Sequence, residues 1–248
     1  MESCGKRMNS AAGRADREVG SMTRLLVHVE GQTEETFVNE VLGPHLYTLG
    51  FHKVSARLLG AARVRKRRGG ICAWEVVADE VARHLLNDGG AFATTIVDYY
   101  ALPSGEDGWP GRHACAGLPY DQRSSFLVQN LRQDFAARYP GLAGRFIPFV
   151  AMHEFEGLLF SNPQTMAQSM GQPELADHFS AIRAAFETPE HINDSYITAP
   201  SKRLIAALPG YQKVLHGNVA FIDIGLDNIR QECPIFDEWL TEIEKLAT

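Results

Sequence analysis

The sequence has 248 residues, 45% hydrophobic and 22% charged, proportions of an ordinary globular protein that exclude a fibrous or wholly disordered chain. Thirty acidic residues against 24 basic ones leave a net charge of −6. That balance argues against a surface that coats nucleic acid everywhere, though not against a local nucleic-acid site. No run approaches the ~20 apolar residues of a membrane span and no secretory signal is evident, so a cytoplasmic protein without membrane contact is expected. Cys4, Cys72, Cys115 and Cys233 are scattered with no C-x-x-C pair, which points to reduced thiols rather than a disulfide framework.

In chain order, residues 1–22 read as a disordered N-terminal arm: 1–21 are small, polar and aperiodic, and Met22 is an alternative start. Leu25–Val29 is a short β-branched run that predicts a first strand. Glu30-Gly31-Gln32-Thr33 then supplies a turn and a helix cap, and Phe37, Val38, Val41, Leu42 and Leu46 recur at helical spacing over 34–48. A second strand is expected at Val54–Leu59, an amphipathic helix at 73–87, a third strand at Phe92–Val97 ending at Asp98, a helix at 122–138 and a fourth strand at Arg145–Val150. Strands alternating with helices predict an α/β fold with a parallel sheet of about four strands over 23–152. Beyond residue 152 helical patterns dominate, at 153–160, 174–187, 200–208 and 234–246, which predicts that 153–248 is a helical lobe completing the same domain. Within it Trp239, Leu240, Ile243 and Leu246 form a stripe that fits core or interface equally, so a homo-oligomer is compatible with the pattern.

Ligands of open parallel sheets bind at the carboxyl ends of the strands. The residues leaving those ends are Glu30, Asp98, and the group His153, Glu154 and Glu156. Three strands therefore deliver carboxylates to one edge. Packed acids repel and need a proton or cation between them, and oxygen-only ligation suits the hard cations magnesium, manganese and calcium rather than zinc. One or two such ions beside carboxylates serve in-line phosphoryl chemistry, for which magnesium or manganese is expected. Glu34 and Glu35 lie in a first helical turn, where the dipole favours acids in any case. Glu154 and Glu156 are two apart, so on a helix at most one faces a metal. His153 fits metal ligation, acid–base work, or an ordinary cap or core position. HEFEG lacks the second histidine of a zinc-protease helix.

VEGQTEETF at 29–37, IVDYY at 96–100, HEFEGLLFSNP at 153–163 and APSKRL at 199–204 resemble the bacterial family called domain of unknown function 4276, over about residues 23–245. That family is similar to the Toprim fold, Rossmann-like, of topoisomerases, primases and OLD-family nucleases. The resemblance implies that Glu30 is a metal ligand or general acid/base, that Glu30 and Glu34 form the E-x-x-x-E pair of OLD-type nucleases, and that Asp98 is the first acid of a D-x-D element. Tyr100 stands where the second Asp is expected, so the usual two-metal arrangement holds only if Glu154 or Glu156 supplies the missing carboxylate. Lys202 is implied as the late lysine near the scissile phosphate, against a plain reading as a surface lysine at a helix start. The resemblance also implies a phage-defence setting and a partner ATPase of the ABC type.

Arg63, Arg65, Lys66, Arg67 and Arg68, followed by Gly69-Gly70, form the one concentrated basic run; it fits a phosphate-gripping loop or a solvated charge run. The long 101–120 loop carries Trp109, His113 and Tyr120, which fit base stacking or loop anchoring. Together these readings predict a Toprim-like nuclease dependent on magnesium or manganese and acting on DNA or RNA. Two alternatives remain: a catalytically silent module that regulates a partner ATPase, and another phosphoryl or nucleotidyl transfer enzyme.

Overall fold

The computed structural model describes residues 22–60, 72–105, 108–193 and 197–247. Five parallel strands form one sheet: β1 (Arg24–Val29), β2 (Lys53–Leu58), β3 (Ala91–Asp98), β4 (Phe146–Ile147) and β5 (Val150–Ala151). The order is β2-β1-β3-β4, with β5 also on β3. In register, Val29 of β1 lies beside Leu58 of β2 and Ile96 of β3. The chain leaves β1 toward one edge and returns to its other side with β3. The crevice between the carboxyl ends of β1 and β3 is thus the switch point where such sheets hold ligands.

Alternation along β1 sends Leu25, Val27 and Val29 into one layer and His28 toward the other. The first layer begins with a continuous helical rod: α1 (Gln32–Phe37), a π turn (Val38–Leu42) and α2 (Gly43–Thr48). Pro44 has no amide hydrogen to donate, and the helix widens through the π turn just before it. On the other face lie α3 (Trp74–Asn87), which buries Trp74, Val77, Val81 and Leu85, the short α4 (Arg112–Cys115), and α5 (Tyr120–Arg138), which buries Leu127, Leu131 and Phe135. Helices on both faces explain why the central strand β3 is buried almost end to end, whereas the edge strand β2 exposes Lys53 and Arg57.

The expected fourth strand at Arg145–Val150 is two short pieces, β4 and β5. Pro148 falls between them and cannot donate to a ladder. The Thr95 hydroxyl bridges the gap: it accepts from the Phe149 amide at 3.1 Å and donates to the Phe149 carbonyl at 2.9 Å. The helix expected at 153–160 is a 3-10 segment, Phe155–Ser161. Residues Phe155 through Phe160 are all buried, so no exposed face could impose a 3.6-residue period.

The C-terminal region is helical, with α6 (Pro163–Ser169), α7 (Ala176–Ala184), α8 (Pro200–Ala207), α9 (Asn218–Glu232) and α10 (Pro234–Glu244). α6 and α9 were not evident from periodicity. α9 carries Gly225 at φ +75° in its middle, a non-helical residue that breaks the stripe. Trp239, Leu240 and Ile243 are buried, Leu246 packs beside them, and the Trp239 indole N–H donates to Thr94 Oγ1 at 2.9 Å. That stripe is core of the sheet's first layer.

Candidate carboxylate site at the switch point

Glu30 follows β1 and Asp98 ends β3, and the two are joined through the backbone: the Asp98 amide donates to Glu30 Oε2 at 3.4 Å. Asp98 Oδ1 in turn accepts from the Phe155 amide at 2.7 Å, which fixes the segment after β5 to the end of β3. Glu34 reaches the same crevice from the first turn of α1. A Cβ added at Gly31 would come within 3.0 Å of Glu34 Oε2, so the missing side chain there leaves room for the carboxylate. Glu156, fully buried on the 3-10 segment, closes the group from above.

The counter-charge is Lys213. Its Nζ lies 2.7 Å from Glu156 Oε1 and 3.7 Å from Glu34 Oε1, at the start of a short π turn (Lys213–Gly217) that leads into α9. The lysine side chain is 42% exposed whereas Glu34 and Glu156 are 3% and 0% exposed. The pocket is therefore open to solvent on the lysine side. Glu156 Oε2 has no hydrogen-bond partner among the described residues.

Four carboxylates against one ammonium leave the site negative. Burial holds Glu30 above the ordinary carboxylate range; the Asp98 amide pulls it back, and Glu34 and Glu156 push it further. Burial raises Asp98 most strongly, opposed by Lys213 and reinforced by Glu156, Glu30 and Glu34. Glu156 is raised by burial too, against the attraction of Lys213. For Lys213, burial acts to lower the pKa, but Glu156, Asp98 and Glu34 outweigh it and keep the amine protonated. Such a site takes up a proton or a cation readily.

The donor set is all oxygen, which fits a hard divalent ion, and the unpartnered Glu156 oxygen is a vacant ligand in chemical terms. Among the described residues no three of these oxygens lie within 4.8 Å of one another. Lys213 Nζ already lies between Glu34 and Glu156, so an ion drawing in both would have to displace it.

The remaining expected residues are placed as follows. Glu154 Oε2 and Oε1 accept from the Ser201 amide at 2.8 Å and the Ser201 hydroxyl at 3.0 Å, which caps the N-terminus of α8. Lys202 is the next residue of that helix and is exposed. His153 is buried, with a left-handed φ of +69°, which costs about 1 kcal/mol for a residue with a side chain. Its ring packs on Tyr100 and Tyr120 at 5.4 and 5.3 Å. Trp109 is an anchor: it is 2% exposed, stacks near Trp74 at 5.0 Å and donates to the Cys72 carbonyl. His113 is exposed. Arg63, Arg65, Lys66, Arg67 and Arg68 lie outside the described residues, as do residues 1–21.

Sequence reasoning missed Lys213 and the half-buried Tyr211 beside it, whose hydroxyl is held above its usual pKa by burial and then by Glu156. Both follow the Pro209-Gly210 turn in an aperiodic stretch, and a lone lysine there carries no local signal.

A parallel α/β domain with a buried carboxylate group at its switch point is the class that fold and site define. Residues 29–244 match the family described as domain of unknown function DUF4276, and the chain belongs to that family. No curated protein and no solved structure matches it.

Proposed function

We propose that the protein is a Toprim-like, divalent-metal-dependent hydrolase of phosphodiester bonds. The observation that carries this reading is the convergence of Glu30, Asp98, Glu34 and Glu156 around Lys213 at the switch point. Glu30 and Asp98 would hold magnesium or manganese, with Glu156 and Glu34 joining them as Lys213 turns outward. When bound, the ion supplies charge neutralisation at the phosphate and activation of water. Lys213 is partly exposed and firmly protonated, and neutralises a non-bridging phosphate oxygen at the mouth of the pocket. Burial raises Glu30 above the ordinary carboxylate range, and as a general base it would take the proton of the attacking water instead of ligating the ion. The substrate is DNA or RNA, and the phage-defence role and ABC-type ATPase partner belong to the same proposal. Purified protein is assayed on both nucleic acids with manganese, beside Glu30→Gln and Lys213→Ala. Each substitution is expected to cost at least about a hundred-fold in rate. Cleavage by Glu30→Gln at the wild-type rate would sink the assignment.

Two observations favour a second reading, a silent module that regulates a partner ATPase. Tyr100 occupies the place of a second acid, and Lys213 already neutralises Glu156. Manganese titration by calorimetry separates the two: no heat of binding from folded protein favours the module. Transfer of a phosphoryl or nucleotidyl group to an acceptor other than water would show in the products.

A further inference from the structure

On the opposite face of the sheet a different kind of group is assembled. His28 points from β1 toward α3, where Glu80 and His84 stand one turn apart and so face the same way. One ligand atom from each of the three lies within 4.8 Å of the others, and His28 Nε2 is 3.0 Å from His84 Nδ1. His28 Nδ1 lies 3.3 Å from the Thr94 carbonyl oxygen, which can only accept. His28 must therefore carry its proton on Nδ1 when that bond forms, which turns the Nε2 lone pair toward His84 and Glu80.

We propose that His28, Glu80 and His84 form a site for one zinc-class transition-metal ion that ties β1 to α3. Three points support it. Two imidazoles and one carboxylate are the ligand set of borderline ions such as zinc and cobalt, unlike the all-oxygen group on the other face. A ligating histidine characteristically donates its second N–H to a carbonyl or carboxylate, the position Thr94 occupies. A cleft of about 260 Å³, lined by His84, Arg57, Ser55 and Asp88, opens beside the group and leaves the fourth coordination position to water. Arg57 and Arg83 are neighbouring cations whose charge works against the ion; the carboxylate of Glu80 opposes them at His84. A direct hydrogen bond between the two imidazoles would account for His28 and His84, but gives Glu80 no part.

The test uses full-length protein stripped with a chelator and titrated with Zn2+ and with Co2+. Metal content and the visible d–d absorption of nitrogen-ligated cobalt are the readouts. One nitrogen-ligated ion per chain is expected, counted apart from any ion on the carboxylate face. His84→Ala and Glu80→Ala, both on the partly exposed side of α3 and both to a strong helix former, should each weaken uptake at least about ten-fold. Glu30→Gln combined with Asp98→Asn removes any ion held by the carboxylates on the other face, and should leave the nitrogen-ligated cobalt absorption unchanged. Far-UV circular dichroism checks folding, and if His84→Ala unfolds, Glu80→Ala alone decides. The proposal is overturned if the wild type takes up no stoichiometric ion, if the α3 variants bind as tightly as the wild type, or if uptake follows the Glu30 and Asp98 substitutions instead.

Discussion

The two faces of the sheet are built from different ranges of the chain. The α3 and α5 face is made of helices that directly precede or follow the strands they cover, and its packed residues, Trp74, Val81, Leu127 and Phe135, lie on regular helical stripes. The α1 face is completed by segments from the far end of the sequence. Thr23 donates to the Leu246 carbonyl, His45 meets Glu244 at 2.6 Å, and Trp239 reaches Thr94. The acids at the switch point belong to this second face, and two of the partners that define them, Glu156 and Lys213, arrive on irregular backbone. A regular layer is legible from periodicity; a layer closed by distant, irregular segments is not.

That contrast can be broken first at Phe155. Its ring contacts Phe37 at 5.2 Å and Phe221 at 4.8 Å, and its amide donates to Asp98. Phe155→Ala should cost about 4 kcal/mol in urea denaturation, as expected for a buried aromatic, because the cavity opens where the distant segments meet. A loss below about 1 kcal/mol would mean the second face is not stabilised by this aromatic cluster.

The next effect is a pH dependence. Glu190 is 4% exposed and accepts from the Ile235 and Phe236 amides at 3.0 and 2.9 Å, which caps α10. Burial nonetheless raises it from 4.5 to about 7, the two amides opposing the shift. The folded chain therefore holds this proton more tightly than the unfolded one. The stability so gained is complete below pH 4.5 and is lost as the pH rises to about 7. The loss amounts to about 3 kcal/mol at most. Glu30, Asp98 and Glu156 are raised as well and slope the same way, so the contribution of Glu190 is the difference between the wild type and Glu190→Gln. The gap between urea midpoints at pH 5 and pH 8 should be narrower in the variant than in the wild type; an equal gap in both proteins would contradict the reading.

The smallest effect sharpens the comparison at the site itself. Lys213→Ala removes the counter-ion of Glu156, whose carboxylate is fully buried. Breaking a buried pair costs several kcal/mol, but the lysine is 42% exposed and solvent screening reduces the loss to about 2 kcal/mol. Lys213→Ala with Glu156→Gln should recover most of it. If the double variant is no more stable than the single one, the ion pair is not what stabilises the closure of the pocket.

Local chemistry made Glu30 and Asp98 nameable, because an acid that ends an apolar strand stands out from its neighbours; Glu34, an ordinary acid of a first helical turn, was singled out only by the family motif. Glu154 and Glu156 could be named but not told apart. The tertiary structure separates them: Glu154 caps α8 through Ser201, while Glu156 faces Lys213. Lys202, singled out by its motif, is exposed on α8, and Lys213, without a motif, meets the acids.

Hydrophobic period and chain order alone determined a parallel α/β sheet with a helical C-terminal region, since burial on one or both faces is written residue by residue. Which lysine neutralises the acids, which glutamate is a cap, and that His28 meets Glu80 and His84 were decided only by the tertiary structure. Those pairings depend on how far apart side chains end up in space, and backbone propensity carries no term for that distance.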